Sequence, residues 1–237
     1  MAMTAQPHET DGRLRIDVWS DVVCPWCHLG LTYLDRALAD FEHADRVDVV
    51  LRSYELDPGA PVRDEVPHLT RLARKYGTTE DAMRRSTARL EALGEEVGID
   101  FRFEQAIRGN TAPAHRLVHL AREHGLQRAV KSALFAAYFT EGRPIGEAAT
   151  LREIAIEVGL PADGIDAVLD HERYADEVRA DEAEARELGI SGVPFFLFDG
   201  EIGVGGAQPA DRMLRALRTM WDERVAGPAE AADRPAR

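Results

Sequence analysis

The chain of 237 residues contains only two cysteines, Cys24 and Cys27, three positions apart. Two thiols at that spacing can make and break a disulfide within one turn of helix, or supply two corners of a metal site. Cys24-Pro25-Trp26-Cys27 follows a segment with strand alternation and opens one with helix period. The first turn of a helix carries unpaired N–H groups and the positive end of the helix dipole. Both favour thiolate over thiol at Cys24, and the thiolate is the nucleophile. Cys27, one turn on, is placed to attack a mixed disulfide formed at Cys24. Cys24 is thus read as the attacking nucleophile and Cys27 as the resolving thiol. Pro25 suits the first helical position, where no N–H is needed. Trp26 offers an apolar platform for a substrate. His28 adjoins the pair and, when protonated, would add to the stabilisation of the thiolate.

Three other readings of the pair remain open. Cys24-Pro-Trp-Cys27-His28 also matches a c-type haem attachment string. Zinc would need a second ligand pair, for which His115 and His119, at i and i+4, are the only tempting partners; no second cysteine pair exists. The plainest alternative is two small buried residues with no chemistry. No metal is expected.

A second feature is Gly192-Val193-Pro194-Phe195. Proline cannot donate to a ladder, so it belongs at the start of a strand. A cis Val193–Pro194 peptide would leave the Val193 backbone free to bond an extended substrate beside the sulfurs; a trans proline at a loop end is the alternative. Glu55 and Asp57 end a predicted strand. Either could relay protons to Cys27, or be a solvated loop-edge acid. His115 is read as packing at a domain junction in preference to acting as a base. Arg116 would meet a substrate carboxylate or lie on an exposed face.

These residues need elements to position them. Leu14, Ile16 and Val18 alternate with Arg13, Arg15 and Asp17, predicting a strand over 14–19. Leu31, Leu34, Leu38 and Phe41 predict the helix opened by the cysteines, and the β-branched stretch 46–54 a second, parallel strand. Residues 61–188 then carry almost continuous helix period. Helices are predicted over 68–76, 80–97, 112–124, 127–140, 151–158, 164–169 and 171–188. Gly77, Gly98, Gly125, Gly142, Gly159 and Gly189 stop them. The acidic run 172–187 is read as a solvated face. Strands return at 195–198 and 202–204 around Asp199-Gly200, a hairpin signal, and a last helix spans 209–221. Residues 14–60 and 189–226 therefore form one discontinuous α/β domain with a helical domain, 61–188, inserted. Residues 1–13 and 227–237 are expected to be disordered tails.

Composition limits the partners. With 29 Lys+Arg against 42 Asp+Glu, the formal net charge is −13, which argues against binding a phosphate backbone. No run of about 18 apolar residues occurs, so no membrane helix is expected. The N-terminus lacks the pattern of a secretory signal, and a cytoplasmic location is expected. The amphipathic helical block could supply a homodimer face.

With these strings assembled, the sequence resembles the DsbA-like family of the thioredoxin superfamily over about residues 14–222. It is most similar to the FrnE-like branch, related to the 2-hydroxychromene-2-carboxylate isomerases. The resemblance rests on Ser20-Asp21-Val-Val-Cys24-Pro25-Trp26-Cys27, the helical insertion, and Val193-Pro194. Softer support comes from Arg52-Ser-Tyr-Glu55-Leu-Asp57-Pro58, Asn110-Thr111 with Ala114-His115-Arg116-Leu117, and Gly205-Gly206-Ala207-Gln208. It implies a thioredoxin fold with an all-helical insertion between its β-α-β and β-β-α halves, and a cis Pro194. It also implies thiol–disulfide oxidoreductase or isomerase activity on protein or small-molecule thiols and disulfides. Pro25, Trp26, Val193 and Pro194 would contact the substrate. No cofactor is required, although glutathione is a candidate co-substrate: in the glutathione-using relatives an Asn-Thr pair at the place of Asn110-Thr111 helps hold it. Asn110 and Thr111 read equally as a helix cap. Those isomerases typically carry serine where this chain has Cys24, which favours redox chemistry here.

Overall fold

A computed structural model describes residues 12–231. Strand β1 (Leu14–Ser20) leads into helix α1 (Pro25–Ala39), and β2 (Val47–Ser53) returns parallel to β1, Leu14 against Val47 through Ser20 against Ser53. Seven helices follow: α2 (His68–Lys75), α3 (Glu80–Glu95), α4 (Ala112–Glu123), α5 (Gln127–Phe139), α6 (Ala148–Val158), α7 (Ala162–Leu169) and α8 (Ala175–Glu187). Strand β3 (Phe195–Phe198) then pairs antiparallel with β1, and β4 (Ile202–Gly205) with β3. Helix α9 (Ala210–Ala231) closes the described chain. The sheet order β2-β1-β3-β4 places β1, whose end carries the cysteine loop, at the centre. This is the thioredoxin arrangement with a helical insertion, as the resemblance implied.

The hairpin signal is real: Asp199 and Gly200 have φ of 46° and 75°. The Asp199 side chain also accepts the Arg15 N–H at 2.8 Å, which ties the turn to β1. The predicted glycine stops all have positive φ; Gly159, at 92°, ends α6.

Three expectations are corrected. The helix predicted over 171–188 begins at Ala175, because Glu172 and Tyr174 take left-handed φ of 55° and 69° and interrupt the spiral. Its acidic run is not wholly solvated: Asp181 is buried. Helix α9 continues to Ala231, past position 227 where a tail is predicted to begin. Residues 1–11 and 232–237 of the predicted tails lie outside the described residues.

The insertion is joined to the sheet by buried polar contacts. Gln127 of α5 donates to the Leu51 carbonyl at 3.0 Å and accepts the Leu51 N–H at 2.9 Å, covering the edge of β2. Asp181 of α8 accepts from the Ser53 N–H and Arg52, both at 2.8 Å, and contacts His119 Nε2 at 3.1 Å. The Trp19 indole N–H donates to the Asp181 carbonyl at 2.9 Å. These bonds fix α4, α5 and α8 against the strands that carry the cysteine loop.

Candidate active site

Cys24 is the N-cap residue of α1, with φ −96° and ψ 113° and Pro25 just after it. Its carbonyl accepts the N–H groups of Cys27 and His28 at 3.0 and 3.2 Å. Both thiols are free. Cys24 is 5% exposed and Cys27 wholly buried, so an external sulfur meets Cys24 first. The Cys24 thiol donates to the Val193 carbonyl at 3.5 Å. The Val193–Pro194 peptide is cis, and the Pro194 carbonyl accepts the Gly206 N–H at 2.8 Å. Helix α1 can lie this close to the proline because of Gly30. A Cβ there would stand 2.8 Å from Pro194 Cγ and 3.2 Å from the Phe196 ring.

Beneath the sulfurs lies a set of buried ionisable groups. Burial, and then the neighbouring Cys24, push the Cys27 thiol well above the usual range; the charge of Lys131 pulls the other way. Burial also works against ionisation of Asp21, but the hydrogen bond from His115 and that from the Leu56 N–H at 2.7 Å outweigh it and hold the carboxyl low. Burial keeps His115 neutral, with its Nε2 3.3 Å from Asp21. Lys131 of α5 has no exposed surface, and its Nζ donates to the Ser20 carbonyl at 3.1 Å. Sequence reasoning assigned no role to Asp21 or Lys131. Asp21 stood inside the cysteine string, whereas nothing in the local sequence marks Lys131 as buried.

Several candidates are placed elsewhere. His28 does not face the sulfurs. It stacks on Phe135 at 4.5 Å with the rings 7° from parallel, and burial, with the charge of Arg128 adding, pushes it down to about 4. It is therefore neutral and gives a thiolate no charge, which corrects the sequence expectation. Glu55 is raised to about 7, chiefly by burial and by Glu182. It takes the Thr111 hydroxyl at 3.5 Å and, through its own N–H, contacts Glu182 at 3.1 Å, so its partners are not the cysteines. Asp57 pairs with Arg108. Asn110, one residue before the N-cap Thr111, donates to the Pro58 carbonyl at 3.1 Å and accepts the Ala112 N–H at 3.0 Å in a turn leading into α4, while Thr111 itself makes no side-chain cap bond. Arg116 meets Glu172 at 3.3 Å. His115 and His119 turn to different carboxylates, and no metal-binding cluster of three or more His, Cys, Asp or Glu occurs among the described residues.

Two hollows adjoin at Trp26 and Val193, and Cys24 lines the larger. A cavity of about 1130 Å³ lies between the cysteine loop and the insertion, with Cys24, Pro25, Trp26, Val193 and Thr111 on one side and His68, Phe103 and Tyr138 on the other. A shallower groove of about 560 Å³ runs over Trp26, Val193, Phe195 and 205–208. Trp26, 46% exposed, stands between them.

A family model described as a DSBA-like thioredoxin domain matches residues 15–218. The crystal structure of the probable DsbA oxidoreductase SCO1869 from Streptomyces coelicolor is 40% identical. It covers 95% of this chain and 93% of its own, with a TM-score of 0.84. The cytosolic disulfide reductase DsbM from Pseudomonas aeruginosa shares the fold at 22% identity and a TM-score of 0.61, over 88% of this chain and 98% of its own. Among curated proteins, the uncharacterised YwbO of Bacillus subtilis is 26% identical over 212 residues, 86% of this chain and 96% of its own. No helix among the described residues is long and apolar enough to cross a membrane.

Proposed function

Because the chain belongs to the DSBA-like thioredoxin domain family, and because only one of its two thiols has any exposed surface, we propose that it is a thiol–disulfide oxidoreductase with Cys24 as nucleophile and Cys27 as resolving thiol. The observation that carries this reading is the pairing of a barely reachable sulfur at the N-cap of α1 with a wholly buried one a turn behind it. The Cys24 thiolate attacks one sulfur of a substrate disulfide. A Cys24–substrate disulfide forms, and the other substrate sulfur leaves as a thiolate. Cys27, deprotonated, then attacks Cys24 Sγ; the Cys24–Cys27 disulfide forms and the second substrate sulfur departs. Two external thiols, or one dithiol, are oxidised to a disulfide as they return the pair to the dithiol through a second mixed disulfide at Cys24. The Val193 carbonyl, 3.5 Å from Cys24 Sγ, lies where the backbone of an extended substrate could pair beside the reacting sulfurs. Replacing Cys24 by Ser should abolish disulfide reduction in an insulin turbidity assay with dithiothreitol as electron donor. Undiminished turbidity would overturn the assignment.

The cavity supports a second reading, in which glutathione is co-substrate and the protein isomerises a small molecule held against the insertion. A space of about 1130 Å³ is of drug-like size, and Thr111 lines it. Titration calorimetry with reduced glutathione decides this: saturable binding weakened in Thr111→Val favours it, and no heat at millimolar glutathione removes it.

A further inference from the structure

The cavity beside Cys24 has a sign of charge opposite to that of the chain. Arg71, Arg74 and Lys75 of α2 line it, with Arg108 from the segment before α4. Two carboxylates, Asp21 and Asp57, share the lining. Asp21 takes the Leu56 N–H at 2.7 Å and lies 3.3 Å from His115 Nε2, and Asp57 pairs with Arg108. A third carboxylate, Asp64, pairs with both Arg71 and Arg108. The Arg71 Nε is left without a hydrogen-bond partner among the described residues. Arg74 and Lys75 are exposed, and neither pairs with a carboxylate among the described residues. Four cations against three carboxylates leave the cavity positive, on a chain whose formal net charge is −13. Leu72, Met83, Leu90 and Phe103 supply apolar wall, and low-dielectric walls strengthen such a field inside a cleft. By contrast, no charged residue lines the groove on the other side of Trp26.

A guanidinium binds an acid group through paired N–H donors. None of the four cations belongs to the strings that carry the family resemblance. The hollow, of about 1130 Å³, is of small-molecule size, and Cys24 is part of its wall. Resting on the assignment of Cys24 as the attacking sulfur, we propose that the cavity selects small disulfides that carry an acid group, with Arg71, Arg74, Lys75 and Arg108 as the specificity residues. The cations draw the acid group toward α2 while the disulfide meets Cys24. The Cys24 thiolate attacks one sulfur, the Cys24–sulfur bond forms, and the substrate disulfide breaks. The electron pair leaves on the other half, an acidic thiolate. Cys27 then attacks Cys24 Sγ and the second half departs as a thiolate. The protein dithiol is oxidised by two electrons, the substrate disulfide is reduced, and the two thiol protons end on the released thiols.

The test uses four disulfides of one skeleton that differ in the end group. Dithiodipropionate and dithiodiethanesulfonate are dianions, hydroxyethyl disulfide is neutral, and cystamine is a dication. The reduced protein is mixed with each near neutral pH, samples are quenched in acid and alkylated, and the loss of free thiols is followed by mass spectrometry. Each rate is divided by that of dithiothreitol with the same disulfide, which removes differences in the leaving thiol. The overall field of a chain of net −13 favours the dication. The cavity should reverse that order, with the dianions at least about fivefold ahead of hydroxyethyl disulfide and cystamine last. A gain for one dianion alone supports the proposal and names its acid group. Raising salt from ~20 to ~500 mM should slow the dianions, because screening weakens an attraction; if the overall field ruled, salt would speed them. In Arg71→Gln/Arg74→Gln the dianion-to-neutral ratio should fall at least about threefold. Dianions no faster than hydroxyethyl disulfide, dianions sped by salt, or an unchanged ratio in the folded double variant would overturn the proposal. The salt series needs wild type alone, so it decides even if the variant does not fold. No thiol loss with hydroxyethyl disulfide or any other of the four would instead remove the underlying assignment of Cys24.

Discussion

The two sulfurs share one turn of helix and differ in what surrounds them. Cys24 is reachable at the helix N-cap, with its thiol against the Val193 carbonyl; Cys27 is sealed below, where burial keeps it protonated. That asymmetry predicts where a covalent intermediate accumulates. Cys27→Ser, challenged with oxidised glutathione, should hold a stoichiometric adduct on Cys24 by intact-protein mass spectrometry. Wild type should release it, and Cys24→Ser should form none. Adducts of equal amount on both variants would mean that either sulfur is accessible. Cys24, Cys27, Val193 and Pro194 were legible in the sequence because each belongs to a short string whose residue types already constrain the chemistry. The groups under the sulfurs were not. Lys131 meets Ser20 across 111 positions, and His115 meets Asp21 across 94. A lysine in an amphipathic helix reads as solvated until the fold covers it. His28 shows the converse error: adjacency in sequence suggested a charge beside the thiolate, but the next residue on a helix points about 100° away, here onto Phe135.

At the scale of elements, periodicity gave the order of strands and helices, because apolar spacing reports which face each buries. Packing between elements had no such signal. Gly30 is the clearest case: nothing in the pattern of α1 asks for a glycine there, yet the Pro194 ring occupies the space its side chain would need. Alanine at an interior helix position normally gains about 1 kcal/mol over glycine. Here its methyl would meet two stiff rings, and overpacking costs about 1–3 kcal/mol. The clash should win. Gly30→Ala is expected to lose up to about 2 kcal/mol, a fall in Tm of up to about 8 °C, and to cut insulin reduction severalfold as α1 shifts from the Val193–Pro194 loop. A melt at or above wild type with unchanged turnover would show that α1 moves freely. The start of α8 at Ala175 has the same origin. Helical composition runs on from 171, but the chain turns left-handed at Glu172 and Tyr174, and the helix then delivers Asp181 to Arg52 and Ser53 on β2.

Over the whole molecule, the buried ionisable groups set how stability depends on pH, and their signs differ. His28 and His68 both titrate near 4 in the folded state, because burial penalises the imidazolium. His28 Nδ1 is buried without a partner among the described residues, and His68 stacks near Phe103. Unfolded, each takes a proton near 6.5. Between those values the unfolded chain binds more protons, so stability falls as pH drops from 6.5 to 4. His115, also held below its ordinary value, adds to this. Glu55 opposes it. Raised to about 7 in the fold, it is protonated there while the unfolded carboxyl is still ionised, so its contribution grows as pH falls from 7 to its ordinary range. His28 and His68 against Glu55 alone leave about one proton of net uptake on unfolding near pH 5.5, or roughly 1–1.5 kcal/mol per pH unit, and His115 adds to it. Acidification also relieves the net −13 charge, but that repulsion is spread over exposed, screened groups and is the weaker influence. Urea titrations between pH 6.5 and 4.5 should therefore show stability falling with pH. His28→Phe, which keeps an aromatic ring against Phe135, should remove roughly one proton's worth of that slope. A flat or rising stability toward pH 4.5, or an unchanged slope in His28→Phe, would mean that His28 takes up its proton without leaving Phe135.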